Sequence, residues 1–229
     1  MWGGFPPPVY ATPTDRRFSR TELRHITIAF GVLTFDLWLI FDGLNAFSYG
    51  AYYGSGFSSA VGLSLLLGAG VAALAAVTGF LAHEMGHKFA AQHLGLWAEF
   101  RAFWNGLLIS VLFSALGFLF AAPGATYIAG RGDRRESGLT SVAGPLVNLG
   151  EAGVLLSSAW VLGRSGTSLA YPALLLVGAI NVYWALFNLI PYGPLDGAKV
   201  LRWSKPIWAV LFAGSLVWVV SLYLLTGVL

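Results

Sequence analysis

No cysteine occurs among the 229 residues. Disulfides, thiolate metal ligands and cysteine nucleophiles are all excluded by that absence. Charge is nearly as scarce: 10% of residues are Asp, Glu, Lys or Arg, against about a quarter in an ordinary soluble domain. With 57% hydrophobic residues and a mean hydropathy of +0.72, the chain reads as an integral membrane protein. No Lys/Arg-rich recognition segment is present, so the net charge of +3 is no argument for a nucleic-acid partner. The basic residues fall between apolar runs, where they act as anchors on the cytoplasmic face.

What the chain does have is apolar runs long enough to span a bilayer, which takes about 20 residues. They lie near 26–46, 60–94, 104–121, 140–163, 171–195 and 206–228. Residues 1–25 are proline-rich, polar and basic, and read as a cytoplasmic tail rather than a cleaved signal. Residues 26–229 then form a single membrane-embedded domain without internal repeats. Helices are the physical expectation, because lipid cannot satisfy an open backbone.

The basic residues also constrain topology. Arg16, Arg17, Arg20 and Arg24 place the N-terminus inside, and the uncharged loop 47–59 suits the outside. If 104–121 crossed fully, Arg131, Arg134 and Arg135 would lie outside, against the positive-inside tendency. If it dips in and returns, they stay inside with Lys199, Arg202 and Lys205, and Arg164 alone is outside. The fold class expected is therefore all-α integral membrane. It is a polytopic helical bundle of about five to six transmembrane helices, with a re-entrant or short β element after the histidine-bearing span.

That span is the chemical focus. Three of the four histidines fall within "HEMGHKFAAQH", residues 83–93. Residues four apart share a helix face, so His83 and His87 can hold one metal ion. Glu84 lies one residue round, where it can take a proton from an attacking water; this is the content of H-E-x-x-H as a zinc-hydrolase motif. Ionisable groups are costly in an apolar span and default to a functional reading. A catalytic zinc wants three protein ligands and one open position. Without cysteine, and with His25 far upstream, the third is expected to be a carboxylate: Asp36, Asp42, Glu151 or Asp196. Asp196 stands out, because Pro191 and Pro194 break the helix and present it at the break. A capping aspartate in a plain turn is the bland alternative.

"HEMGH" (83–87), "AGPLVN" (143–148) and "NLIPYGPLDG" (188–197), in that order, resemble the site-2 protease family of intramembrane zinc metalloproteases, peptidase family M50. The resemblance covers about 60–202 and points to a minimal form, with no PDZ-like or CBS-like region. It implies one zinc ion on His83, His87 and Asp196, and Glu84 as catalytic base. It implies that Asn188 holds substrate or the oxyanion, and that Gly144 and Asn148 mainly pack helices. It also implies regulated intramembrane proteolysis: cleavage of single-pass membrane proteins within or beside their span, by a multi-pass enzyme of the cell membrane. "WAEFRAF" (97–103) alternates enough to offer a strand edge to an unwound substrate. Rival readings are a transporter or channel with polar pore-lining residues, and a different membrane zincin with a downstream glutamate ligand.

Overall fold

A computed structural model describes residues 18–43, 59–118, 123–130, 133–163 and 170–226. The loop 47–59 apart from its last residue, Arg131, Arg164, the Asp42 side chain and most of the 1–25 tail lie outside the described residues. The first helix, α1, runs Arg20–Trp38 and continues as a π-helical turn, Leu39–Gly43. Ser19 caps it by accepting from the Glu22 N–H at 2.9 Å. Its buried residues Ala29, Leu33 and Leu37 recur every four positions on the face that meets α2, Ser59–Ala75. Helix α2 answers with Ala72 and Ala75, small side chains that let backbones approach closely. A second π-helical stretch, Ala76–Ala82, leads straight into α3, His83–His93.

Strand β1, Trp97–Ala102, follows, and pairs antiparallel with β2, Gly124–Ala129. Between them stands α4, Trp104–Ala115. Its 12 residues rise about 18 Å, well short of a ~30 Å hydrocarbon core. The Phe103 N–H donates to the Pro123 carbonyl at 3.0 Å, so the segment leaves and returns at one place. The described part of this segment, Trp104–Ala115, is therefore too short for a crossing and fits the re-entrant expectation. Asp36 ties this element to α1: the Ser114 hydroxyl donates to Asp36 Oδ1 at 3.0 Å. The partner of Asp36 thus lies on another helix.

Helix α5 spans Arg134–Gly163, α6 spans Ala170–Asn188, the short α7 is Asp196–Trp203, and α8 is Lys205–Thr226. Among the described residues, five helical segments are long and apolar enough to cross a membrane: Arg20–Phe41, Leu65–His93, Arg134–Gly163, Ala170–Asn188 and Lys205–Thr226. The fold is thus the expected helical membrane bundle with a small β element. Helix α5 is the central post, with α3, α6 and α7 packed on it.

Candidate metal centre

Helix α3 and the start of α7 meet at one buried point. His83 Nε2 and His87 Nε2 lie 2.9 Å apart, and Asp196 Oδ2 is 3.3 Å from the first and 3.0 Å from the second. A tetrahedral zinc with ligands at about 2.05 Å separates them by about 3.3 Å. The triangle is a slightly contracted version of that edge.

The outer partners decide which atoms face the centre. His83 Nδ1 lies 2.6 Å from Asn148 Oδ1, and His87 Nδ1 lies 2.7 Å from the Thr140 carbonyl. Both oxygens only accept, so both Nδ1 atoms carry the proton and both Nε2 atoms offer lone pairs. Two lone pairs and a carboxylate converge, an arrangement that repels itself unless positive charge sits between them. Burial alone would push the Asp196 carboxyl up. Without a metal, only protonation of the rings at Nε2 would oppose this: positive charge on His87 and hydrogen bonds from both rings would then outweigh burial and hold that carboxyl below the ordinary range. A divalent cation supplies such charge without protonating a ligand.

Helix α5 presents this centre with a stripe at four-residue spacing. The Thr140 carbonyl, Gly144 and the Asn148 amide are one turn apart. A Cβ on Gly144 would stand 2.5 Å from His87 Nε2 and 2.6 Å from His83 Nε2, so only glycine leaves room for the ligands. The Asn148 amide orientation is itself fixed. Its Nδ2 donates to the Gly79 carbonyl at 2.9 Å and to Asn181 Oδ1 at 3.0 Å. Asn181 Nδ2 in turn donates to the Thr78 hydroxyl at 2.8 Å. Asn148, expected mainly to pack helices, thus touches a metal ligand directly. Replacing it by Ala should weaken metal binding by about 10–100-fold while the helices stay folded, as read by chelator competition and circular dichroism.

The turn 189–195 delivers Asp196. Gly193 adopts φ +57, and the space a Cβ of Gly197 would need is filled by the Leu189 carbonyl. The Trp208 indole N–H donates to that same carbonyl at 2.8 Å. Trp208 is therefore an anchor for the ligand turn.

Glu84 is buried beside the cluster, and its Oε2 accepts from the Thr126 N–H and the Thr126 hydroxyl, each at 2.8 Å. No sequence motif flagged Thr126; strand β2 brings it there. Asn188 ends α6, and its amide donates to the Trp184 carbonyl one turn back at 3.0 Å. Among the described residues, no hydrogen bond joins it to the cluster. Asp36 binds α4 instead, Glu151 Oε2 is buried without a partner among the described residues, and His93 is exposed at the end of α3.

The outer edge of β1 is closed. The Ala98 carbonyl accepts from Lys88 Nζ at 3.1 Å, the Phe100 N–H donates to Glu22 Oε1 at 3.0 Å, and the Ala102 N–H donates to His25 Nδ1 at 3.2 Å. The strand edge expected at 97–103 is thus occupied by side chains, and the outward edge of the ribbon belongs to β2.

No protein-family profile matches the chain, and no solved structure matches it. Two curated proteins do. The "Putative zinc metalloprotease MJ0611" of Methanocaldococcus jannaschii is 34% identical over 196 residues, covering 85% of this chain and 90% of its own length. The "Putative zinc metalloprotease sll0528" of Synechocystis is 29% identical over 178 residues, covering 76% of this chain and 40% of its own length. Zinc is the metal that the His83, His87 and Asp196 cluster fits, and the chain belongs to the zinc metalloprotease family of the archaeal relative.

Proposed function

We propose that the protein is an intramembrane zinc endopeptidase of the site-2 protease kind. It cuts membrane-anchored proteins within or beside a transmembrane segment, near the cytoplasmic face. His83, His87 and Asp196 hold the zinc and Glu84 is the general base. The observation that carries this reading is a three-acceptor cluster where α3 meets the start of α7, with the buried Glu84 carboxylate of α3 beside it, inside an apolar helical bundle. When bound, zinc polarises the scissile carbonyl and makes water a better nucleophile. Glu84 takes the proton of that water and passes it to the leaving amine. Asn188 would supply a donor to the developing oxyanion after its amide leaves the Trp184 carbonyl. A helical substrate hides its peptide bonds and must unwind, and the edge of β2 on either side of the Thr126 N–H that Glu84 holds suits an extended segment. The arginines around the start of α1 and at the start of α5, with Lys199 and Arg202 of α7, support a cytoplasmic N-terminus.

The test compares purified wild type with Glu84→Gln against a panel of single-span proteins carrying helix-breaking residues. Zinc per chain should be unchanged, while cleavage falls by about 10²–10⁴-fold and a chelator stops the wild type. Full activity in the variant would remove Glu84 from its role. Zinc binding without any cleavage, combined with altered ion flux in Glu84→Gln, would turn the assignment to a transporter.

A further inference from the structure

Among the described residues, the most deeply buried ion pair lies outside the metal centre. Glu22 and Lys88 are each 0% exposed, one in the first turn of α1 and one in α3 just past the histidines. Lys88 Nζ spends all three of its donors: on Glu22 Oε1 and Oε2, each at 2.7 Å, and on the Ala98 carbonyl at 3.1 Å. It also lies 4.5 Å from the Phe18 ring centroid. The spacing Ser19-x-x-Glu22 is that of a capping box, in which Glu22 would reach back to the cap. Here the glutamate turns away, to Lys88 and to the Phe100 N–H at 3.0 Å. The Ser19 hydroxyl meanwhile donates to Glu99 on the same strand.

These contacts close a ring. Phe100 stands opposite Thr126 in the β1–β2 register. The N–H groups of that rung point outward in opposite directions, one to Glu22 and the other to Glu84. Glu84 and Lys88 are four residues apart on α3, and so one turn from each other on one side of the helix. The path Glu84–Thr126–Phe100–Glu22–Lys88 thus returns to its start. Two carboxylates on two different helices grip one rung of the ribbon from its two edges.

We propose that the acceptor oxygen of Glu22, whose buried charge Lys88 balances, positions the Glu84 carboxylate through the strand ribbon; the role of that carboxylate rests on the protease reading above. An ion pair serving only stability needs no particular partner on the strand. Here each charge also meets the strand group of matching sense: the carboxylate an N–H, the ammonium a carbonyl. Pulling the rung toward α1 sets how far Thr126 stands from α3, and Thr126 supplies both hydrogen bonds received by Glu84 Oε2.

Two double variants separate this from a purely structural pair. Exchanging the charges, Glu22→Lys with Lys88→Glu, keeps an ion pair but turns an ammonium toward the Phe100 N–H and a carboxylate toward the Ala98 carbonyl. Neutralising both, Glu22→Gln with Lys88→Met, abolishes the ion pair but keeps an acceptor for Phe100. Amide hydrogen exchange in the full-length protein reads the ribbon directly, alongside zinc per chain. We expect exchange across 124–129, which touches neither substituted residue, to rise about tenfold or more in the charge exchange and to stay near wild type in the neutral pair. Zinc content and helix protection should be unchanged in both. The opposite ranking, or a 124–129 segment unmoved by the charge exchange, would overturn the proposal. Should the charge exchange fail to fold, the neutral pair decides alone: strong deprotection of the ribbon there sinks the idea. Cleavage of the single-span panel forms a separate arm, in which the exchange should lower kcat more than it raises KM. If no form cleaves, wild type included, while ribbon exchange ranks as expected, the device stands and the protease reading falls.

Discussion

Replacing Gly144 by alanine should abolish metal binding, weakening it by about a hundredfold or more while the helix remains intact. The new Cβ would sit 2.5 and 2.6 Å from the two imidazole nitrogens that face the centre. Real Cβ atoms do not approach heavy atoms so closely, so one side must yield. Neither has slack. His83 and His87 are held at their far nitrogens by Asn148 and the Thr140 carbonyl, and those partners belong to the same helix as Gly144. Any motion that relieves the contact therefore breaks a hydrogen bond that orients a ligand. The control is Gly150→Ala on the same helix, where a Cβ would meet nothing within 4 Å. That substitution should leave zinc per chain at the wild-type value, since it changes only helix propensity. Equal zinc in wild type and Gly144→Ala would show that the ligands lie elsewhere.

The second large effect is on folding. Lys88→Met alone should destabilise the protein by about 3–5 kcal/mol, because it leaves the Glu22 carboxylate buried without its cation. Thermal unfolding in detergent reads this directly. Adding Glu22→Gln to Lys88→Met should recover most of the loss, since removing both charges from a buried pair is often neutral. A Lys88→Met protein as stable as wild type would mean that water reaches Glu22, contrary to its 0% exposure.

The parts of this site that could be read from the chain are those set by short-range geometry. Two histidines four apart share a face in any helix, and a carboxylate displayed between prolines is visible without a fold. The spans follow from apolar length, and the excess basic charge near 131–135 already disfavoured a full crossing at 104–121. What escaped depends on tertiary approach. Asn148 looked like a packing residue because nothing local says that its amide meets His83. Asn181 lies 33 positions from Asn148 and carries no motif. Thr126 reaches Glu84 only because β2 returns beside β1, and the sequence between them resembles a membrane span. Neither Lys88 nor Glu22 belongs to a motif that points to the other. Their separation of 66 residues hid the pairing. Asn188 shows the reverse: its motif is plain, yet its amide is engaged with its own helix.

The π-helical stretch Ala76–Ala82 carries a consequence for how such sites are recognised. A residue added to a regular helix turns everything beyond it by about 100°. The wide turn therefore sets an angular offset between the alanine face of α2 and the ligand face of α3. Removing one residue from 76–82 would swing His83, Glu84 and His87 together, with their spacing untouched, off the stripe formed by Thr140, Gly144 and Asn148. The five-letter pattern would survive letter for letter in a chain that had lost its metal. A match to H-E-x-x-H certifies interval, not bearing. In this protein the bearing is stored upstream, in apolar residues that no motif search inspects.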